Sequence, residues 1–182
     1  MILLLALACS GTNGVKGLSA TDYLPPWPEH LVFRSVNPDS FSESIDTASE
    51  VEEVLHMTIT GADPDWTLSI LSGENLATAT LVQTLSLSSA DGLAITGADD
   101  QTYSTPVVLL ESRFEFDTPV SSGGWTTTAT YEENLVTWYG SFHDLVDVKV
   151  EGDVTGEFRF DTDLGPVQWA WGDLAGDLAW YE

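Results

Sequence analysis

Runs rich in Val, Ile, Thr, Trp, Tyr and Phe recur along most of the chain, and each is stopped by Gly, Asp, Pro or Asn. That punctuation predicts consecutive antiparallel strands. They fall near 30 to 36, 53 to 61, 66 to 72, 77 to 87, 93 to 97, 107 to 111, 124 to 132, 135 to 150, 154 to 161, 166 to 171 and 178 to 181. Alternation is sharpest in Trp125 to Tyr131, where the Thr positions predict one wet face. It is equally sharp where Val146, Val148 and Val150 interleave with Asp147, Lys149 and Glu151. In the stretch 39 to 55, Phe41, Ile45, Ala48 and Leu55 lie near helical spacing among Ser and Asp, which reads as a loop or one short helix. Two similar turns, Ile59 to Asp63 and Ile95 to Asp99, each close a strand. A repeated pentapeptide is too short to mark a repeat fold.

The first residues follow a different pattern. Ile2 to Ala8 is unbroken apolar sequence ending in small residues, followed at once by Cys9, Ser10 and Gly11. This resembles a lipobox, the processing site of bacterial lipoproteins. The resemblance implies cleavage before Cys9 and acylation of its thiol. The competing reading is a first buried strand in which Cys9 is one more small apolar residue. Three parts result: a signal peptide at 1–8, a lipid-anchored linker at 9–21 with several glycines, and a single acidic β domain at 22–182. The expected location is the bacterial cell envelope, as an exported protein anchored at the outer membrane or cell surface. The apolar run is far short of the ~20 residues that a spanning helix needs.

Composition narrows the choices. The 182 residues, 43% hydrophobic with seven Trp, suffice for a packed core, and the single Cys rules out an internal disulfide. Five Lys and Arg against 29 Asp and Glu give a net charge of −24, which repels phosphate backbones and excludes nucleic acid as an expected partner. The same charge repels anionic headgroups, so residence at a membrane requires a covalent or apolar anchor, such as lipid on Cys9, and not a basic patch.

Several features in order resemble a family of bacterial lipoproteins and secreted proteins called TapB-like, related in fold to LolA-like periplasmic domains. They are Tyr23-Leu24-Pro25-Pro26, Asp91-Gly92-Leu93, Pro106 to Leu110, Trp125-Thr126-Thr127-Thr128, Gly140 to Val150, Leu164-Gly165-Pro166-Val167 and Leu178 to Tyr181. The family's early Gly-x-x-Trp has no counterpart in Glu29 to Phe33. The resemblance spans about residues 22 to 182. It implies an all-β or mostly β fold, a strongly curved antiparallel sheet that is half-barrel-like, with at most one short helix. It transfers no catalytic residues.

Candidate chemistry is sparse. His30, His56 and His143 lie in or beside strands with no Gly-x-Ser-x-Gly elbow, and Asp144 follows His143 directly, so the two point to opposite faces. Asp161-x-Asp163-x-Gly165 and Asp63-x-Asp65 space oxygen ligands as calcium favours, although Asp is common in turns for backbone reasons alone. Val167, Trp169 and Trp171 share one strand face, and Trp180 lies on the next strand. These rings suit either the core or, with Asp173 and Asp177 nearby, a ligand site. Because Trp169 and Trp171 share a face with Val167 they are expected inside, and Trp180, two residues from the end of this sequence, is expected outside. The function expected is a non-enzymatic envelope lipoprotein whose half-barrel binds an apolar, lipid-like molecule or a protein partner. The alternatives are a carbohydrate-binding module using Trp169, Trp171 and Trp180, and a hydrolase that no motif reveals.

The charge makes one expectation independent of function. Raising sodium chloride from low to molar concentration screens repulsion among the excess carboxylates. The melting temperature, followed by circular dichroism, is expected to rise across that range, and a flat profile shows the charges too dispersed to matter.

Overall fold

A computed structural model describes residues 18–38 and 53–181. The protein is almost entirely β, with two short 3-10 turns, Ala20–Tyr23 and Leu76–Thr78, and no α-helix among the described residues. The strands are β1 (Leu18–Ser19), β2 (His30–Ser35), β3 (Val54–Ala62), β4 (Asp65–Ser72), β5 (Thr80–Ser88), β6 (Gly92–Ala98) and β7 (Gln101–Glu111), followed by β8 (Arg113–Phe114), β9 (Val120–Ser122), β10 (Trp125–Val136), β11 (Ser141–Glu151), β12 (Gly156–Asp161), β13 (Gly165–Trp171) and β14 (Leu174–Tyr181). The strands expected from alternation are present, except that the run expected from 135 to 150 is broken by a turn at 137–140, so that Leu135 and Val136 end β10 and Ser141 begins β11. The stretch 39–52, expected as a loop or short helix, lies outside the described residues, as does the leader with Cys9. Residues 18 to 21, expected in the linker, belong to the domain: Leu18 pairs with Phe114, and Ala20 is fully buried.

Twelve of the strands form one antiparallel sheet in the order β7-β6-β5-β4-β3-β2-β14-β13-β12-β11-β10-β9. Followed from β2, each strand lies beside its sequence neighbour, and β14 returns to pair with β2 through Asp177 with Arg34 and Leu178 with Phe33. The result is an up-and-down meander that nearly closes into a barrel, beyond the half-barrel expected. The seam between β7 and β9 carries no ladder. Its two sides nevertheless meet: the Tyr103 and Trp125 rings lie 5.7 Å apart across it. Toward one end the seam widens into a groove of about 270 Å³ floored by Leu109, Phe114 and Ala129.

The inner face is packed throughout. Leu31, Phe33, Leu55, Met57, Ile70, Leu85, Ile95, Val107, Val148, Phe158, Val167 and Trp169 are each at most 2% exposed. Trp169 meets Phe33 edge to face at 5.9 Å, and Trp171 stacks on Trp125 at 6.1 Å. Trp180 is 46% exposed because the ladder shifts register between Leu178 and Trp180. Leu178 opposes Phe33 on the inside, so simple alternation would bring Trp180 inward as well. The shift turns it onto the outer face opposite Val32.

The two ends of the barrel differ. The near end, where the chain enters, carries the turns after β3, β5, β10 and β12. It is plugged by the segment leading to β2: the Trp27 indole N–H donates to the Tyr23 carbonyl (3.2 Å), and its ring lies 6.0 Å from that of Phe160. Gly165 permits this plug, since its φ of +78° suits glycine and a Cβ there would come within 2.4 Å of the Trp27 ring. The far end carries the turns after β4, β6, β9, β11 and β13, and the Trp171 and Trp125 rings lie against Gly156 and Gly152 there.

Truncating a ring in this interior leaves a large void. Trp169→Ala and Trp171→Ala are each expected to cost about 3–5 kcal/mol in chemical denaturation, and Trp180→Ala less than about 1 kcal/mol. Equal costs at all three positions contradict the inside-outside assignment.

Candidate functional site

The residues singled out from sequence separate on the structure. Trp169 and Trp171 belong to the core, and Trp180 stands alone on the outer face beside His30 (ring centroids 6.2 Å apart), so the three do not form a binding row. Asp161 uses its Oδ1 to accept the backbone N–H groups of Asp163 (2.9 Å) and Leu164 (3.1 Å), the turn-forming role of Asp. Asp63 likewise accepts the Ser89 hydroxyl at 2.6 Å. Among the described residues no group of three or more His, Cys, Asp or Glu is placed to hold a metal ion, so the calcium expectation finds no ligand set at Asp161 and Asp163.

Among the described residues His56 and His143 bond groups other than a Ser–Asp pair. His143 Nδ1 bonds the Asn134 side chain at 2.6 Å, while Asp144 accepts the Tyr131 hydroxyl, which separates the adjacent pair as strand geometry requires. Sequence gave no sign that His30 and His56 meet. Their rings stack at 5.2 Å with Nε2 of His30 3.0 Å from Nδ1 of His56, and Nε2 of His56 donates to the Gly73 carbonyl at 3.0 Å. That donation makes Nδ1 of His56 the acceptor and His30 the donor of the shared bond. The pair ties β2 to β3 and to the turn after β4.

The far end holds an open cleft of about 600 Å³. Four parts build it: the turn from β6 to β7, which supplies Asp99 and Asp100; the turn from β11 to β12, which supplies Val154; the turn from β13 to β14, which supplies Asp173; and the inner wall, which supplies Gln83, Tyr103 and Trp171. Ala98, Val154 and Leu174 add apolar surface. Tyr103 and the edge of the buried Trp171 make a continuous aromatic layer with Trp125 behind them. Gln83 lies on the inner face, opposite Ile70 in the ladder, and its Oε1 is buried with no hydrogen-bond partner. Among the described residues no Lys or Arg lines this cleft. Of its residues the sequence marks Trp171 and Asp173 as candidates for a ligand site and Ala98 and Asp99 only as part of a turn, and the rest carry no signal of their own.

The scarce basic residues are placed elsewhere. Three of the five, Arg34, Lys149 and Arg159, lie on one outer-face stripe that crosses the sheet from β10 to β2. Register aligns Thr130, Asp147, Arg159, Gln168, Asp177 and Arg34 as successive cross-strand partners. Arg159 donates to Glu157 at 2.9 Å and to Gln168, and its Nε lies 3.9 Å from Asp147. Gln168 reaches on to Asp177 at 3.5 Å. Asp147 is buried, although its alternation with Val146 and Val148 predicts a wet position. Burial raises the pKa of Asp147 against the opposing pull of Arg159, and burial together with the charge of Asp147 raises that of Glu157.

At the end of the stripe sits a latch. The turn between β10 and β11 folds back so that the Trp138 backbone N–H donates to Asp177, the Tyr139 N–H donates to the Leu178 carbonyl (2.8 Å), and the Trp138 ring lies 4.3 Å from the Arg34 guanidinium. Burial pushes the Asp177 carboxyl up to about 7, against the Trp138 N–H, Arg159 and Gln168, which all favour its charged form.

This fixes the sign of a pH effect. Between roughly pH 4 and 7 the folded chain keeps the Asp177 proton that the unfolded chain has lost, so folding binds protons there and stability falls as pH rises through that window. Asp177→Asn retains an acceptor for Trp138 without the ionisation. It is expected to flatten the fall and to be the more stable protein at pH 8 by a few kcal/mol, each tenfold in proton affinity being worth ~1.4 kcal/mol. Equilibrium unfolding at pH 5 and pH 8 measures both effects, and parallel profiles for the two proteins contradict the assignment.

No family model, no curated protein and no solved structure matches this chain.

Proposed function

We propose that the protein is an exported bacterial lipoprotein, held at the cell envelope through lipid on Cys9, and that its barrel is a non-enzymatic binding module for a small amphiphilic ligand taken up in the far-end cleft. The observation that carries the binding reading is the cleft itself. Its volume falls in the range of small-molecule sites, and it combines an aromatic and aliphatic wall with a few polar atoms. The packed inner face supports a ligand lying at the mouth of the barrel rather than along its bore. Burial of Trp169 and Trp171 removes the row of exposed rings on which the carbohydrate alternative rested. The hydrolase alternative gains no nucleophile beside a base from the bonds of His56 and His143.

The lipoprotein part rests on the leader and on the resemblance to the TapB-like family. Polarity of the barrel is consistent with it. The nine peptide steps from Cys9 to Leu18 span at most roughly 30 Å, and Leu18 pairs with Phe114 at the near end of the barrel. A cleft at the opposite end then opens away from the anchoring membrane.

Two measurements test the two parts. Expressed with its complete leader in a bacterial host, the protein is expected in the membrane fraction with an acylated mass, and Cys9→Ser is expected to be soluble or unprocessed. Unchanged fractionation and mass in the mutant remove the anchor. For the ligand site, N-phenyl-1-naphthylamine is expected to brighten on titration into the folded domain, with the gain lost in Ala98→Trp, which fills the cleft. Equal brightening in that variant places the apolar site elsewhere.

A further inference from the structure

We infer that the far-end cleft selects ligands carrying a primary ammonium group on an apolar body. This rests on the reading of the cleft as a ligand site and names the chemical class that the site takes. The argument is an imbalance between acceptors and donors. Asp99, Asp100 and Asp173 ring the opening, and among the described residues no basic side chain faces them. Asp99 spends its Oδ1 on the Thr84 backbone N–H at 2.9 Å, which holds the turn. Asp100 and Asp173 are exposed on the rim and are the carboxylates left to a ligand.

One buried atom on the inner wall points the same way and is independent of the rim charges. Gln83 lines the cleft, and its Oε1 is a buried acceptor with no partner. A buried acceptor without a donor is unfavourable, so a ligand that supplies an N–H recovers part of that cost on binding. Carboxylates at the mouth, an unpartnered amide oxygen on the wall and a Tyr–Trp layer beside it suit an ammonium. Its N–H groups meet the oxygens, its charge meets the rim and the ring faces, and its carbon chain lies on Ala98, Val154 and Leu174. An anionic head group meets three like charges with no compensating cation.

A net charge of −24 attracts any cation, so the experiment must separate the cleft from the general field. The probes are hexylammonium, 1-hexanol and hexanoate, which share a tail and carry charges of opposite sign or none. Their binding is measured by titration calorimetry at moderate salt. For the wild type, hexylammonium is expected to bind at least tenfold more tightly than hexanol, and hexanoate not at all. Asp100→Asn with Asp173→Asn, and separately Gln83→Leu, are expected to reduce the preference to threefold or less. Asp91→Asn with Glu111→Gln removes the same charge from exposed near-end positions and is expected to leave it intact. Equal binding of all three probes preserves the ligand site and overturns the ammonium inference. A preference lost equally in the near-end control also overturns it, because the field alone then accounts for the selectivity. If none of the probes binds, both the inference and the ligand site fail.

Discussion

A sheet of twelve strands that nearly closes on itself encloses more volume than aliphatic side chains fill, because barrel diameter grows with strand number and about eight strands already match an interior of side chains. This constraint shapes the rest of the molecule. The inner face meets it with large rings: Phe33, Phe158, Phe160, Trp169 and Trp171 are all buried. Phe160, Phe158, Trp171 and Trp125 link Trp27 at the near end to Tyr103 at the far end, and Phe33 and Trp169 pair beside them. Glycines stand where these rings need room against the backbone, as at Gly156 beneath Trp171 and Gly165 beneath Trp27. The filling is uneven along the axis. The near end receives Tyr23 and Trp27 from the incoming chain, and the far end is left with the cleft.

The outer stripe from Thr130 to Arg34 is a costlier arrangement. Burying several charges in a sheet rarely adds net stability, since desolvation offsets most of the attraction. What such a row does well is define register, because a one-residue slip of β11 against β12 would separate Asp147 from Arg159 and one of β13 against β14 would separate Gln168 from Asp177. That matters most at β14 and β2. These strands come from the two extremes of the domain, so no hairpin fixes their alignment, and their ladder also contains the shift that turns Trp180 outward. The latch at Trp138 rests on the same row, so hairpin and ladder hold one another through Asp177.

Strand positions were legible because alternation and turn residues act locally, and the inward assignment of Val148 or Trp169 needs nothing beyond them. Closure was not legible. Pairing of β14 with β2 is a contact between distant segments, and alternation states which face is apolar without stating its partner. The short β9 was missed for a related reason: Val120–Ser122 is too brief and polar to show a period. Asp147 read as solvated because a single charged residue between valines usually is, and only the register that brings Arg159 opposite reveals why it is buried. The two Ile-Thr-Gly-Ala-Asp turns show the same limit. One closes β3 at the near end and the other closes β6 at the far end, so identical local chemistry serves a plain turn once and the rim of a cleft once.

Charge placement connects the ladder to the cleft. With five basic residues against 29 acidic ones, each cation committed to one place is absent from another. Arg159 and Lys149 pair with the buried Asp147 and the half-buried Glu157, and Arg34 is held under Trp138. The cleft is therefore acidic less through an accumulation of carboxylates, which are everywhere on this surface, than through withdrawal of the residues able to balance them. The sheet's need for register and the cleft's preference for a donor follow from the same allocation. A basic residue introduced at the rim to neutralise Asp100 and Asp173 leaves the ladder untouched, whereas moving Arg159 out of the stripe strands two buried carboxyls. Selectivity at the far end can thus change without cost to the fold, while the outer stripe cannot be exchanged for it.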